Sequence, residues 1–170
     1  MLLLLLKTVW LLNLLIIPTL SIKGRPLQRY VAETISDAQL ALFFLIVSIV
    51  LLGSLVYYLR QKQMAGRWIH LVWGALVFII IPLLLPTVAE RLHFIVFGLF
   101  GFFSFQLFGL KKAIWICLVV GLSDEILQWW LPERYGDWRD VGFNWLACLA
   151  GILLNRNLRL DHEKDYPVSD

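Results

Sequence analysis

The sequence predicts an all-α, polytopic transmembrane helical bundle of about six spans, with one amphipathic helix on the membrane surface. Three observations predict it. Of 170 residues, 60% are hydrophobic and only 16% are charged. The mean hydropathy of +0.78 lies outside the range of an ordinary soluble domain. The apolar residues fall in separate runs, each close to the ~20 residues that a helix needs to cross ~30 Å of hydrocarbon.

In order, the runs are Leu2 to Leu20, Leu40 to Leu59, Trp68 to Pro86, Leu92 to Leu110, Ala113 to Leu131 and Val141 to Leu154. The first carries Lys7 near the terminus, as a signal peptide would. The residues before Lys7 are themselves apolar and no small-x-small cleavage site follows, so a retained helix is expected. Between the first two runs, residues 25–39 place Pro26 at a helix-first position and repeat apolar residues at Leu27, Tyr30, Val31, Thr34, Ile35 and Ala38. That stripe predicts an amphipathic helix lying on the membrane. The organisation expected is therefore two N-terminal spans with an interfacial helix over 1–66, a four-helix membrane region over 67–154, and a polar, fraying cytoplasmic tail over 155–170.

A formal charge of +3 does not point to nucleic acid, because the Lys and Arg residues are scattered among short loops, where they report topology. With six spans, Arg60, Lys62, Arg67, Lys111, Lys112, Arg156, Arg159 and Lys164 share one side, with Lys7 near it. Lys23, Arg25, Arg29, Arg91, Arg134 and Arg139 share the other. The excess puts both termini in the cytoplasm under the positive-inside rule. Cys117 and Cys148 sit within apolar runs without the spacing of a metal cage or a disulfide framework, and read as packing residues. No metal or cofactor signature is present, neither a phosphate-cradling glycine loop nor a zinc motif.

One stretch breaks the apolar pattern. Residues 121–144 carry Asp124, Glu125, Gln128, Glu133, Arg134, Asp137, Arg139, Asp140 and Asn144. Asp124, Glu125 and Gln128 share a helical face, with Glu125 about 9 Å below the helix end at Leu131. Asp140, Asn144, Ala147 and Gly151 share a face of the last run, and His93, Phe97, Gly101 and Ser104 share one of the fourth. The simplest packing turns these faces toward one another. Glu90, Asp124, Glu125, Glu133, Asp137 and Asp140 outnumber Arg91, Arg134 and Arg139, for a local formal charge of −3. Glu125 then carries a proton, a cation is bound, or His93 is protonated.

Ionisable groups at membrane depth make a functional site the default hypothesis. Against it stands an ion-pair clamp in which Arg134 and Arg139 neutralise Glu125 and the aspartates. Glu125 with His93 could serve as general base and acid, although a membrane histidine is as often a fastener between helices. Gly121-Leu122-Ser123 matches the Gly-x-Ser of intramembrane serine proteases only by chance, since no histidine follows on the neighbouring span. Trp129, Trp130, Tyr135 and Trp138 are what an interfacial aromatic belt supplies.

Glu125, Gln128, Pro132, Arg134, Asp140 and Asn144, with Gly151 downstream, resemble the signature of the VanZ-like family of bacterial membrane proteins. The stretch Glu90-Arg91-Leu92-His93-Phe94 is similar to that family's earlier charged element. The resemblance covers about residues 67–154. Two positions depart from it: Ala147 stands where Gly is common and Phe97 where Tyr is frequent. The resemblance implies a multi-span protein of the bacterial plasma membrane linked to reduced sensitivity to glycopeptide antibiotics, with no established reaction. The expectation is a non-catalytic envelope protein with membrane lipids as neighbours, an outward polar site, and a cell-wall precursor or glycopeptide-type ligand as partner. Two alternatives differ in class. One is an intramembrane enzyme acting on a lipid-linked or phosphorylated substrate through Glu125, His93 and Arg134. The other is an ion or proton carrier, supported by the surplus of negative charge.

Overall fold

A computed structural model describes residues 2–61, 68–85, 88–132 and 136–165. Lys62, Arg67, Pro86, Glu133, Arg134 and Tyr135 lie outside them. Among the described residues every regular element is helical: α1 (Leu2–Thr34), α2 (Asp37–Gln61), α3 (Trp68–Ala75), a π-turn (Leu76–Ile80), α4 (Ile81–Leu84), α5 (Val88–Trp130) and α6 (Trp138–Asp165). Two stretches, Leu3–Leu27 and Glu90–Trp130, are long and apolar enough to cross a membrane.

Helix α1 differs from the expected span followed by a separate surface helix. It runs unbroken through Pro18 and Pro26 to Thr34. A proline removes one backbone donor, and the remaining ladder carries the helix past it when nothing else favours a turn. The break falls at Ile35 and Ser36, where Ser36 forms a capping box for α2. Its Oγ accepts from the Gln39 amide at 3.3 Å, and Gln39 Oε1 accepts from the Ser36 amide at 3.0 Å. The last residues of the predicted surface helix therefore belong to α2.

Pro82 explains the π-turn. With no N–H, and with its ring against the carbonyl four residues back, it shifts the bonding so that the Ile81 amide reaches Leu76 O, five residues earlier.

Helix α5 is two arms. Gly109 has φ 73° and ψ 176°, a combination that in practice only glycine adopts. It reverses the chain beside the exposed Lys111 and Lys112. His93 on the first arm and Asp124 on the second, near-equidistant in sequence from Gly109, meet at 3.5 Å, so the arms form an antiparallel hairpin. This hairpin supplies the fourth and fifth runs read from the sequence.

Helices α1 and α6 pack on the hairpin. On α1, Asn13, Ile17, Ser21 and Gly24 are buried at helical spacing. Trp10 stacks on Phe100 with centroids 5.6 Å apart, and its Nε1 donates to Ser104 Oγ at 2.9 Å. The first arm meets α6 through small residues. A Cβ on Gly101 would run into the Cys148 carbonyl, and one on Gly151 into the Gly98 carbonyl. Backbones can approach this closely only where the side chains are small. The tail expected to fray from residue 155 stays helical to Asp165. Asn155 is buried there, with Nδ2 donating to Phe102 O at 2.8 Å. The outer surface is strongly apolar: Leu4, Leu84 and Trp130 are 71%, 78% and 84% exposed. Such a surface is costly against water and not against lipid.

Candidate functional site

The hairpin, α1 and α6 converge at the end of the bundle away from Gly109, and two adjacent carboxylates lie at the centre. Asp124 and Glu125 are 3% and 1% exposed. Consecutive residues on a helix diverge by about 100°, so each faces a different set of neighbours.

Asp124 looks toward α1 and the first arm. Its Oδ1 accepts a hydrogen bond from the Ser21 hydroxyl. Its Oδ2 accepts from Gln128 Nε2 at 3.1 Å and lies 3.5 Å from His93 Nε2. Glu125 looks toward α6. Its Oε1 accepts from Gln128 Nε2 at 3.1 Å and from Asn144 Nδ2 at 3.3 Å. Its Oε2 accepts from the Asp137 amide at 3.3 Å. All four carboxylate oxygens are thus engaged, which is what burial of charged groups in a low-dielectric interior demands.

Asp137 also starts α6. Its Oδ1 accepts from the Arg139 amide at 2.9 Å, the N-cap bond that satisfies an orphan donor of the first turn. The turn between α5 and α6 is held from the other side by Trp129, whose indole donates to Gly136 O at 2.6 Å and whose ring meets Trp138 edge-on.

The charged rim is separate from this cluster. Arg139, 62% exposed on its side chain, donates to Glu90 Oε1 at 3.0 Å and lies 3.7 Å from Asp140 Oδ1. It binds neither Asp124 nor Glu125, so that half of the expected clamp operates on the rim instead. Burial pushes the Asp140 carboxyl up from its ordinary value, against the downward pull of Arg139. Arg91 turns away from the carboxylates. Its Nε donates to Leu85 O at 2.9 Å and its guanidinium lies 5.6 Å from the centroid of Phe44. Arg134 is outside the described residues.

The structure therefore brings together His93, Asp124, Glu125, Gln128, Asp137 and Asn144, with Glu90, Arg139 and Asp140 as a surface layer and Arg91 to one side. The His93 imidazole sits against Asp124, not against the Glu125 with which it was paired from sequence. Serine, histidine and aspartate do meet here, but in an order centred on Asp124: Ser21 bonds the carboxylate directly. A nucleophilic triad instead needs the hydroxyl on the imidazole.

Ser21 is the residue that the sequence alone did not single out. The signal was available, because on the otherwise apolar α1 the polar or small residues Asn13, Ser21 and Gly24 fall on one face with Ile17.

The profile of the VanZ/LLP1 family matches residues 5–159. No curated protein and no solved structure matches the chain. The matched region extends well before residue 67 and takes in α1, the helix that supplies Ser21, as well as both arms of α5 and the packed part of α6. By that match, which spans most of its length, the chain belongs to the VanZ/LLP1 family.

Proposed function

We propose that the chain is a six-span protein of the bacterial plasma membrane that catalyses no reaction and lowers sensitivity to glycopeptide antibiotics, with its polar cluster toward the outer face. One observation carries the non-catalytic part: every oxygen of the Asp124 and Glu125 carboxylates is held by a donor or by His93, from α1, both arms of α5, the turn and α6. Carboxylates so fixed fasten helices. A general acid or base needs an oxygen available to substrate. The link to glycopeptides comes from the family alone, and the occupant of the outer face is a cell-wall precursor or a glycopeptide-type molecule.

The topology is supported by how the charges sort. Lys111, Lys112 and Arg156 lie toward the Gly109 end, where Lys7 and Phe108 line a common pocket. The acid-rich cluster lies at the other end. With the basic end inward, both termini are cytoplasmic.

A second reading keeps the same residues as an intramembrane acid/base site. It is favoured by the His93 imidazole, 14% exposed on its side chain and braced by Asp124. The test is expression in a glycopeptide-susceptible bacterium, with cysteines at Gly136 and Asn157 to report orientation. Outside labelling at Gly136 only, together with a raised inhibitory concentration of teicoplanin, is the expected result. Unchanged sensitivity with correctly inserted protein would overturn the proposed function, and cytoplasmic labelling at Gly136 would reverse the orientation.

A further inference from the structure

The side of the bundle away from α1 holds a half-open groove of about 140 Å³ between α2, the π-turn, the first arm of α5 and α6. Leu52, Phe78, Ile79, Leu99, Phe102 and Leu154 line it, and its remaining lining residues are Gly74 and Phe103. Water has no polar partner there, so the groove suits an apolar occupant. It is also shaped by a backbone irregularity. Phe78 and Ile79 come from the π-turn that Pro82 imposes, and π-turns within helices recur at functional sites.

A cation stands above the groove. Arg91, Phe44 and Leu85 form one layer, joined by the Arg91 bond to Leu85 O and by the guanidinium over the Phe44 ring. Leu99 and Leu52 lie eight residues further along α5 and α2, about 12 Å at 1.5 Å per residue. Phe78 is the corresponding step back from Leu85 along the α4 stretch. Three elements thus descend together from the Arg91 layer into the groove. Among the described residues no carboxylate pairs with Arg91. An arginine placed this way, with planar donors to spare, is matched to a phosphate.

We infer that the groove holds one acyl chain of a membrane phospholipid whose phosphate rests on Arg91. The inference depends on the reading of the chain as membrane-spanning. It accounts for an apolar slot and for an arginine that has no carboxylate partner among the described residues, at the spacing between a lipid's headgroup and its upper chain. A docked protein helix would fill the slot and leave Arg91 without its anion.

The full chain, purified in detergent and stripped of lipid, is given dioleoylphosphatidylglycerol or dioleoylglycerol, and bound lipid is counted by native mass spectrometry. Wild type is expected to retain one phosphatidylglycerol. Arg91→Gln weakens that binding about fivefold and leaves dioleoylglycerol, which has no phosphate, unchanged. Leu52→Trp fills the groove and removes both lipids. Phosphatidylglycerol binding that is the same in Arg91→Gln as in wild type, or undiminished in Leu52→Trp, overturns the inference. Labelling at Gly136 reports insertion independently. An inserted chain that retains no phospholipid refutes the groove's occupant alone, whereas a chain that does not insert refutes the membrane reading as well.

Discussion

The Ser21 hydroxyl on α1 donates to Asp124 Oδ1 on the second arm of α5, joining the first helix of the chain to the centre of its polar cluster. Ser21 is fully buried and Asp124 nearly so. Ser21→Ala leaves a buried carboxylate oxygen without its donor, and the expected loss is about 1–3 kcal/mol. Thermal unfolding in detergent, followed by tryptophan fluorescence, checks it. A variant as stable as wild type would show that the bond contributes nothing net and that α1 is held by its other buried contacts.

Glycines on one helix pair make a matched test of the close packing. At Gly101 a Cβ meets the Cys148 backbone, which cannot swing aside, so α6 must move. Gly101→Ala is expected to cost about 1–3 kcal/mol. At Gly142, exposed on α6, nothing lies within 4 Å of an added Cβ. Gly142→Ala should stabilise by up to about 1 kcal/mol through helix propensity alone. Equal effects of the two substitutions in the same unfolding assay would contradict the packing described.

Asp140 gives a pH dependence with a definite sign. Burial raises its carboxyl, Arg139 lowers it, Asp137 and Glu90 raise it and His93 lowers it, and the net direction is upward. The folded chain then holds this proton more tightly than the unfolded chain does. The stabilisation is present below the unfolded value and is lost as pH rises through the raised folded value. Asp140→Asn removes the titration, so the stability of the variant relative to wild type should increase as pH rises from the ordinary aspartate range through the raised folded value. A relative stability that falls over this range would contradict the assignment.

How far the sequence led can be judged residue by residue. The helical class followed from the apolar runs, and the inward faces of Asp124, Gln128, Asn144, Ala147 and Gly151 followed from helical spacing, because periodicity determines which residues share a face. Register between helices has no such local signature. The choice of Asp124 over Glu125 as the neighbour of His93 depends on how the two arms meet across Gly109, and adjacent residues in sequence could not decide it. The continuity of α1 through Pro26 was likewise hidden, since proline marks a helix start as readily as it is tolerated inside one. The boundary that mattered, Ser36 with Gln39, was a capping box available from sequence.

The central claim is that Glu125 fastens the second arm of α5 to α6 and takes no part in proton chemistry. Glu125→Gln keeps the shape of the side chain and one acceptor oxygen, for either the Asp137 amide or the Asn144 and Gln128 amides, and removes the charge and the second acceptor. The most direct measurement is the inhibitory concentration of teicoplanin for cells expressing wild type or Glu125→Gln at equal membrane abundance. Equal tolerance in the two is the predicted result. Loss of tolerance in Glu125→Gln, with the protein folded and inserted as wild type is, would contradict the claim and assign Glu125 to acid/base or carrier chemistry.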